Sequence, residues 1–281
     1  MMPRPHFLAP VRMSVVALSL SAALVYLVAT VRLALPPMLG RPRDARAKPQ
    51  ALALGALAAL LHALVLYQVV LTPAGLNLGF FNALSLIAWV IAVIILVASL
   101  GKPLENLALL GLPLTAATLV LALLFPSDRL VPLDRGFGFD LHLLLAIVAY
   151  SLVSVAAVQA LLLAYQDRQL RRKRLGGVVR ALPPLQTMEA LLFQLIAAGF
   201  FVLSLAIVSG AMFVENLFAQ HVAHKTILSI IAWLILAVLL WGRRRFGWRG
   251  RVAIRWSLGG FLALMLAYFG SKFVLELILR R

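Results

Sequence analysis

Long apolar runs separated by short polar segments dominate this sequence. A helix needs about 20 mostly apolar residues to cross the hydrocarbon layer of a bilayer, where unpaired backbone groups are costly. The pattern therefore predicts an all-α, polytopic membrane protein, a bundle of about eight transmembrane helices. The runs lie near residues 13–35, 51–71, 80–98, 106–125, 141–164, 188–213, 224–241 and 254–279.

The segments that connect these runs are too short to hold a separate soluble domain. We therefore predict a single membrane domain over residues 1–281, with helices 1 to 4 in residues 1–135 and helices 5 to 8 in residues 136–281. Composition agrees with a membrane location, because 63% of the residues are hydrophobic, 12% are charged and the mean hydropathy is +1.02. These values exclude an ordinary soluble globular protein.

The distribution of lysine and arginine predicts the orientation. The connections between helices 1 and 2, 5 and 6, and 7 and 8 carry most of these residues, including "DRQLRRKR" (167–174) and "GRRRFGWRGR" (242–251). The positive-inside rule places these connections in the cytoplasm and both termini on the non-cytoplasmic side. The net charge of +17 is thus mainly a topology signal. Clusters this close to a membrane favour anionic lipid headgroups as partners and not nucleic acid.

The sequence contains no cysteine, so the chain has no thiol chemistry and no thiolate metal site. It also lacks the phosphate-binding, hydrolase and metalloprotease motifs. We therefore predict no catalytic side chain.

Ionisable residues at membrane depth are the first candidates for function, because burying them in a bilayer is costly. His142 opens helix 5 in "FGFDLHLLLAIVAYSL" (137–152), and His224 opens helix 7 in "FAQHVAHKTILSIIAW" (218–233). The predicted topology puts both histidines at the outer face, where they approach each other if helices 5 and 7 pack side by side. Imidazole is a common ligand of haem iron and of transition metals. This pair is the leading candidate site.

Two further histidines leave alternatives open. His221 lies three residues before His224, a spacing that suits a divalent cation if Glu215 or Asp140 adds a ligand. His62 lies in the middle of helix 2. It is either a ligand or the partner in a hydrogen bond to a polar residue of another helix, such as Asn82, Ser154 or Gln194.

Helix 8 carries small residues at four-residue spacing, which predicts that another helix approaches it closely. They are Gly259, Ala263, Ala267 and Ser271.

The second half of the chain resembles a known family. The segments that carry the resemblance are "HLLLAIVAYSLVSVAAVQALLLAYQDRQLRRK" (142–173), "AAGFFVLSLAIVSGAMF" (197–213) and "AWLILAVLLWGRRRFGWRGRVA" (232–253). They resemble the cytochrome c assembly family of haem-handling membrane proteins, the CcsA and CcmC type, and within it the YpjD-like inner-membrane subgroup. The resemblance implies a bacterial inner-membrane protein that binds haem non-covalently, as b-type haem, at its outer face.

In that family, outer histidines ligate the iron beside a tryptophan-rich loop of the form WGxYWxWDPKE. The resemblance gives His142 the place of such a ligand. Here the corresponding segment reads "ENLFAQHVAHKT" (215–226), which shares only Lys225 with the motif and offers Phe218, His221 and His224 instead. His224 is then either the second ligand or part of a surface that no longer holds haem.

A haem at this face would lie against phenylalanines and direct its propionates toward basic residues. The phenylalanines are Phe137, Phe139, Phe213 and Phe218, and the basic residues are Arg129, Arg135 and Lys225. Because the chain has no cysteine, a thioether bond to haem would require the thiols of an apocytochrome c or of another assembly protein.

The sequence leaves two other functions open. One is a divalent-cation transporter or regulator of transport that uses His62, His221 and His224. The other is a structural assembly factor that keeps the family fold with a degenerate site.

Overall fold

The part of the chain that the structure describes contains eight long helices, as the hydropathy pattern predicts. The computed structural model describes residues 8–38, 46–73, 75–101, 105–126, 129–131, 136–173, 182–213, 223–270 and 273. The helices are α1 (Leu8–Met38), α2 (Ala47–Val70), α3 (Phe80–Gly101), α4 (Glu105–Leu124), α5 (Phe137–Arg171), α6 (Leu185–Phe213), α7 (Ala223–Phe246) and α8 (Arg251–Met265). Helix α8 continues as a π-helical turn, Leu266–Gly270. Eight helical segments within the described residues are long and apolar enough to cross a membrane.

Among the described residues, three very short strands accompany the helices: β1 (Leu71–Thr72), β2 (Gly75–Asn77) and β3 (Leu130–Val131). They pair antiparallel in the order β1-β2-β3, with Leu71 opposite Leu76 and Leu76 opposite Val131. Gly75, which has a φ of +134°, allows the tight turn between β1 and β2. The sequence pattern did not predict this small sheet.

The chain divides into two compact units, residues 1–133 and 134–281. In the first unit, each helix packs mainly against the next in the order α1, α2, α3, α4, and α4 returns to α1. Its core contains the fully buried Tyr26 and Leu119 together with Val65. The first unit is therefore a ring of four helices.

The second unit is also a four-helix ring. Helix α5 packs most extensively against α6, α6 packs more lightly against α7, α7 packs against α8, and α8 packs against α5. Helices α5 and α7 are therefore diagonal in this ring, and not side by side as the sequence argument assumed. Their first residues still lie at the same end of the ring, since α5, α6 and α7 run antiparallel in succession.

Glycines allow close helix contacts in the second unit. A Cβ atom on Gly199, at the middle of α6, would lie 3.0 Å from Cγ2 of Val153, at the middle of α5, and 3.4 Å from its backbone nitrogen. On α8 the close contact is at Gly260, where a Cβ would lie 2.8 Å from Leu236. The predicted Gly259 has no atom of the described structure within 4 Å of such a Cβ, so the contact face is shifted by one residue.

Candidate functional site: a histidine at the start of α5 and a histidine at the start of α7

The imidazole of His142 packs against the last turns of α6. Its Nδ1 atom lies 2.9 Å from the backbone oxygen of Ala206 and 3.3 Å from Oγ of Ser209. A carbonyl oxygen only accepts hydrogen bonds, so Nδ1 carries the proton and donates it. Nε2 of the neutral ring then carries the lone pair. Metal-binding histidines commonly have this arrangement, with one ring nitrogen fixed by a carbonyl and the other free to coordinate.

The backbone of α6 is shaped to accept this ring. A Cβ atom on Gly210 would lie 2.9 Å from Cε1 and 3.1 Å from Nδ1 of His142, closer than side chains tolerate. The Oγ atom of Ser209 donates to the same Ala206 oxygen at 3.0 Å. The ring of His142 therefore has one well-defined position, set by α6.

One turn before His142, an aromatic ring closes the same interface. Phe213, the last residue of α6, lies directly over Gly138 of α5, where no Cβ atom would fit. Phe137 has 82% of its surface exposed, and Phe139 is half-buried. Of the predicted phenylalanine lining, Phe213 is thus fixed in a defined contact near His142, while Phe218 lies outside the described residues.

His224 lies in the first turn of α7 and is half-buried. Its Nε2 atom is buried and has no hydrogen-bond partner within the described part of the chain. A buried nitrogen without a partner costs about 1–3 kcal/mol, so such an atom calls for an explanation. A ligand at this nitrogen would provide one. Lys225 follows in the same turn and is also half-buried.

His62 lies in the first unit, where it is fully buried. Its Nε2 lies 2.9 Å from Oγ of Ser85 on α3, and its ring meets that of Tyr26 on α1 edge to face at 6.1 Å. The predicted interhelical hydrogen bond is therefore present, but its partner is Ser85 and not Asn82, Ser154 or Gln194. Nδ1 of His62 and the hydroxyl of Tyr26 are buried without a partner in the described residues.

The structure describes only some of the remaining predicted residues. His221 and Arg135 lie outside the described residues, as does Glu215. Arg129 is exposed beside β3 in the first unit, and its backbone oxygen accepts a bond from Leu78 at 3.0 Å. Within the described residues, no three histidine, aspartate or glutamate side chains come together as a metal cluster.

Sequence reasoning did not identify Ala206, Ser209 and Gly210 as the residues that hold the ring of His142. Every residue has a backbone carbonyl, so the carbonyl of Ala206 gives no signal in the sequence. The pair Ser209 and Gly210, near the end of an apolar helix, does give a signal. A glycine inside a predicted transmembrane helix indicates a close approach, although it does not reveal that the approaching group is a histidine.

Deeper in the second unit, aromatic side chains fill the ring. Tyr150 of α5 is buried against Tyr268 and Phe269 of the π-helical turn, with ring centroids 6.4 and 5.5 Å away. Trp233 of α7 donates to Oγ of Ser204 at 2.8 Å and stacks on Phe200 of α6. These contacts fix the helices below the two histidines.

The sequence matches one protein family and several known proteins. The sequence profile described as "Cytochrome C assembly protein" matches residues 51–279. The chain is 34% identical over 229 residues to the inner membrane protein YpjD of Escherichia coli K12, covering 79% of this chain and 85% of that protein. It is 24% identical over 219 residues to the cytochrome c biogenesis protein CcsA of Synechococcus sp. CC9902, covering 68% and 72%. No solved structure matches it significantly. The profile match spans more than half of the chain, and this chain therefore belongs to the cytochrome c assembly protein family.

Proposed function

We propose that this chain binds haem reversibly through His142 and His224 and presents it for cytochrome c assembly. Family membership supports a haem-handling role in general, and the chain is a multi-pass membrane protein. Its relative in Escherichia coli is named an inner membrane protein, and this chain has the same localisation. In this proposal the haem is b-type, is held non-covalently and lies at the outer face.

The strongest support comes from the state of the two imidazoles. The bond from Nδ1 of His142 to Ala206 leaves Nε2 as the basic nitrogen, and the Nε2 atom of His224 is buried without a partner in the described residues. Both nitrogens would thus be able to bind haem iron. The two histidines belong to different helices at one end of the same four-helix ring.

The diagonal arrangement of α5 and α7 is compatible with a shared iron. Neighbouring helices pack about 8–10 Å apart, so the diagonal axes of a square ring lie about 11–14 Å apart. Imidazoles that extend toward each other from such axes would reach a common haem iron.

The chain's own residues would bind, orient and protect the ligand. Ala206, Ser209 and Gly210 hold the ring of His142 in place, and Phe213 covers the helix contact next to it. Haem bound there would supply the prosthetic group that a partner apocytochrome c joins through its own thiols, because this chain has no cysteine. Lys225 and Arg135 are the proposed partners of the propionates, and Phe218 and His221 belong to the segment that would complete the site.

A spectroscopic experiment tests the two ligands separately. The wild-type protein, purified in detergent and incubated with haem, is expected to give a Soret band of a six-coordinate, low-spin haem. His142→Gly and His224→Gly should each lose the low-spin spectrum, and added imidazole should restore it. His6→Ala, which removes a histidine of the N-terminal tail, is the matched control and should retain the wild-type spectrum.

Two results would contradict the proposal. One is a wild-type protein without a Soret band at saturating haem. The other is an unchanged low-spin spectrum in either glycine variant while size-exclusion chromatography shows a folded protein. His62→Ala belongs in the same series. If this variant alone lost the Soret band, the iron ligand would be His62 in the first unit and not His142 or His224.

A further inference from the structure

At the opposite end of the second unit, α5 and α8 form an open cleft of about 270 Å³. It is lined by Ala164, Asp167, Arg168, Arg251, Ile254 and Arg255. The volume is close to that of the smallest ligand sites in proteins. Three of the six lining side chains carry a guanidinium group, and such groups favour an anionic ligand.

The single carboxylate of the cleft is already neutralised. Asp167 accepts from Nε of Arg171 at 3.0 Å, one turn further along α5, and lies 3.5 Å from Nε of Arg251 on α8. Arg168 and Arg255 form no ion pair within the described residues. The cleft therefore keeps an excess of positive charge that no described residue balances.

The start of α8 adds to this preference. Its N-cap is Gly250, with no side-chain hydrogen bond, and its first turn contains no acidic residue. The free N–H groups and the positive end of a helix dipole favour an anion at this position. An uncapped helix start and unpaired arginines thus act on the same cleft.

The cleft lies at the depth of lipid headgroups. Arg168 is 26 residues after His142 on one continuous helix, about 39 Å along its axis, which exceeds the ~30 Å hydrocarbon layer. Trp248 and Trp256, with rings 5.5 Å apart, lie beside the start of α8. Tryptophans typically mark the membrane interface. Ala164 and the buried Ile254 give the cleft an apolar wall on its membrane side.

We propose that this cleft binds the phosphate of an anionic phospholipid, with Arg168 and Arg255 as its principal ligands. A soluble phosphate offers the same chemistry to the guanidinium groups. The lipid is favoured because the cleft combines its charge with an apolar wall and lies at headgroup depth. The site is far from both histidines, so it does not depend on haem binding.

Native mass spectrometry of the full-length protein in detergent tests the proposal. The wild-type protein is titrated with phosphatidylglycerol, with cardiolipin and, as a neutral lipid, with phosphatidylcholine. Arg168→Gln/Arg255→Gln keeps the Asp167–Arg171 pair but removes two charges, and should weaken retention of the anionic lipids about 30-fold. Arg168→Lys/Arg255→Lys should recover most of the loss.

The matched control removes two arginines of the same end that do not line the cleft. Arg244 and Arg245 are exposed at the end of α7, and Arg244→Gln/Arg245→Gln should change lipid retention less than threefold. An equal loss in both double variants would overturn the proposal, because it would indicate unspecific attraction to positive charge. Equal retention of phosphatidylcholine by the wild type would also overturn it.

A second experiment distinguishes binding of a lipid from binding of a soluble anion. Delipidated protein is heated with inorganic phosphate or with phosphatidylglycerol, and its unfolding temperature is measured. We expect the lipid alone to raise the unfolding temperature, and only when Arg168 and Arg255 are present. An equal rise in unfolding temperature with inorganic phosphate would show that the cleft binds soluble phosphate, and would overturn the proposal of a lipid.

Discussion

The Nδ1 atom of His142 donates a hydrogen bond to the backbone oxygen of Ala206 across 2.9 Å. This bond joins the first turns of α5 to the last turns of α6 through a side chain. It fixes the tautomer and the position of the ring together, so the histidine at this position is pre-organised whether or not a ligand is present.

Replacing Gly210 by alanine should displace this ring. The new Cβ atom would lie 2.9 Å from Cε1 of His142, and the hydrogen bond to Ala206 prevents the ring from moving aside freely. We expect a loss of about 1–3 kcal/mol in the free energy of unfolding, measured by denaturant titration in detergent.

Gly259→Ala is the matched control for Gly210→Ala. No described atom lies within 4 Å of its added Cβ, and alanine favours a helix over glycine. This variant should therefore unfold at the same denaturant concentration as the wild type, or at a higher one. Equal destabilisation of the two variants would show that Gly210 has no special role.

The contact between Gly138 and Phe213 can be tested by a double-mutant cycle. Gly138→Ala should destabilise the protein by about 1–3 kcal/mol, because its Cβ meets the ring of Phe213. Phe213→Ala removes that ring, so the double variant should unfold like Phe213→Ala alone. Additive losses in the double variant would rule out a direct clash.

Ser85→Ala should leave Nε2 of His62 buried without its partner. We expect a loss of about 1 kcal/mol in the free energy of unfolding, the usual size for a polar contact between membrane helices. Ser154→Ala is the control, since its hydroxyl donates only to the Tyr150 carbonyl of its own helix. A smaller loss for Ser85→Ala than for Ser154→Ala would contradict the structure.

Arg243 of α7 joins three elements at the basic end of the second unit. It donates to Glu189 of α6 at 2.8 Å and to the Trp248 oxygen at 3.2 Å, and lies over the ring of Phe193 at 4.6 Å. Its side chain is 33% exposed, so we expect Arg243→Ala to cost only about 1–2 kcal/mol in unfolding free energy.

The neighbouring Arg244 provides the control for Arg243. It is exposed in the last turn of α7, and Arg244→Ala should change the free energy of unfolding by less than about 0.5 kcal/mol. If both variants lose the same free energy of unfolding, the loss comes from removing a positive charge and not from removing the contacts of Arg243.

The transmembrane helices could be predicted because hydropathy reports burial in lipid directly, and all eight are present. Their ends could not, since polar residues continue a helix beyond the hydrocarbon layer. Helix α5 was predicted for 141–164 and extends from Phe137 to Arg171, where the Asp167–Arg171 pair supports its last turn. The strands β1 to β3 are too short to give a periodic signal.

The candidate site was predictable in its residue types and not in its partners. His142 and His224 stand out because histidine is rare in apolar segments, whereas the hydrogen bond of His142 ends on a carbonyl that any residue would provide. The sequence also did not predict that the close contact of α8 lies at Gly260 and not at Gly259. The four-residue pattern of small residues passes through Gly259, whereas the rotation of α8 in the fold turns the neighbouring Gly260 toward Leu236 of α7.

The Gly199–Val153 contact has a mechanical consequence. It lies at the midpoint of both α5 and α6, and it is the place where their backbones approach most tightly through a glycine. The hydrogen bonds from His142 to the Ala206 oxygen and from Gln159 to the Met188 oxygen lie on either side of this close approach. Together the three contacts hold α5 and α6 in one register along their length, so neither helix slides along the other without breaking them.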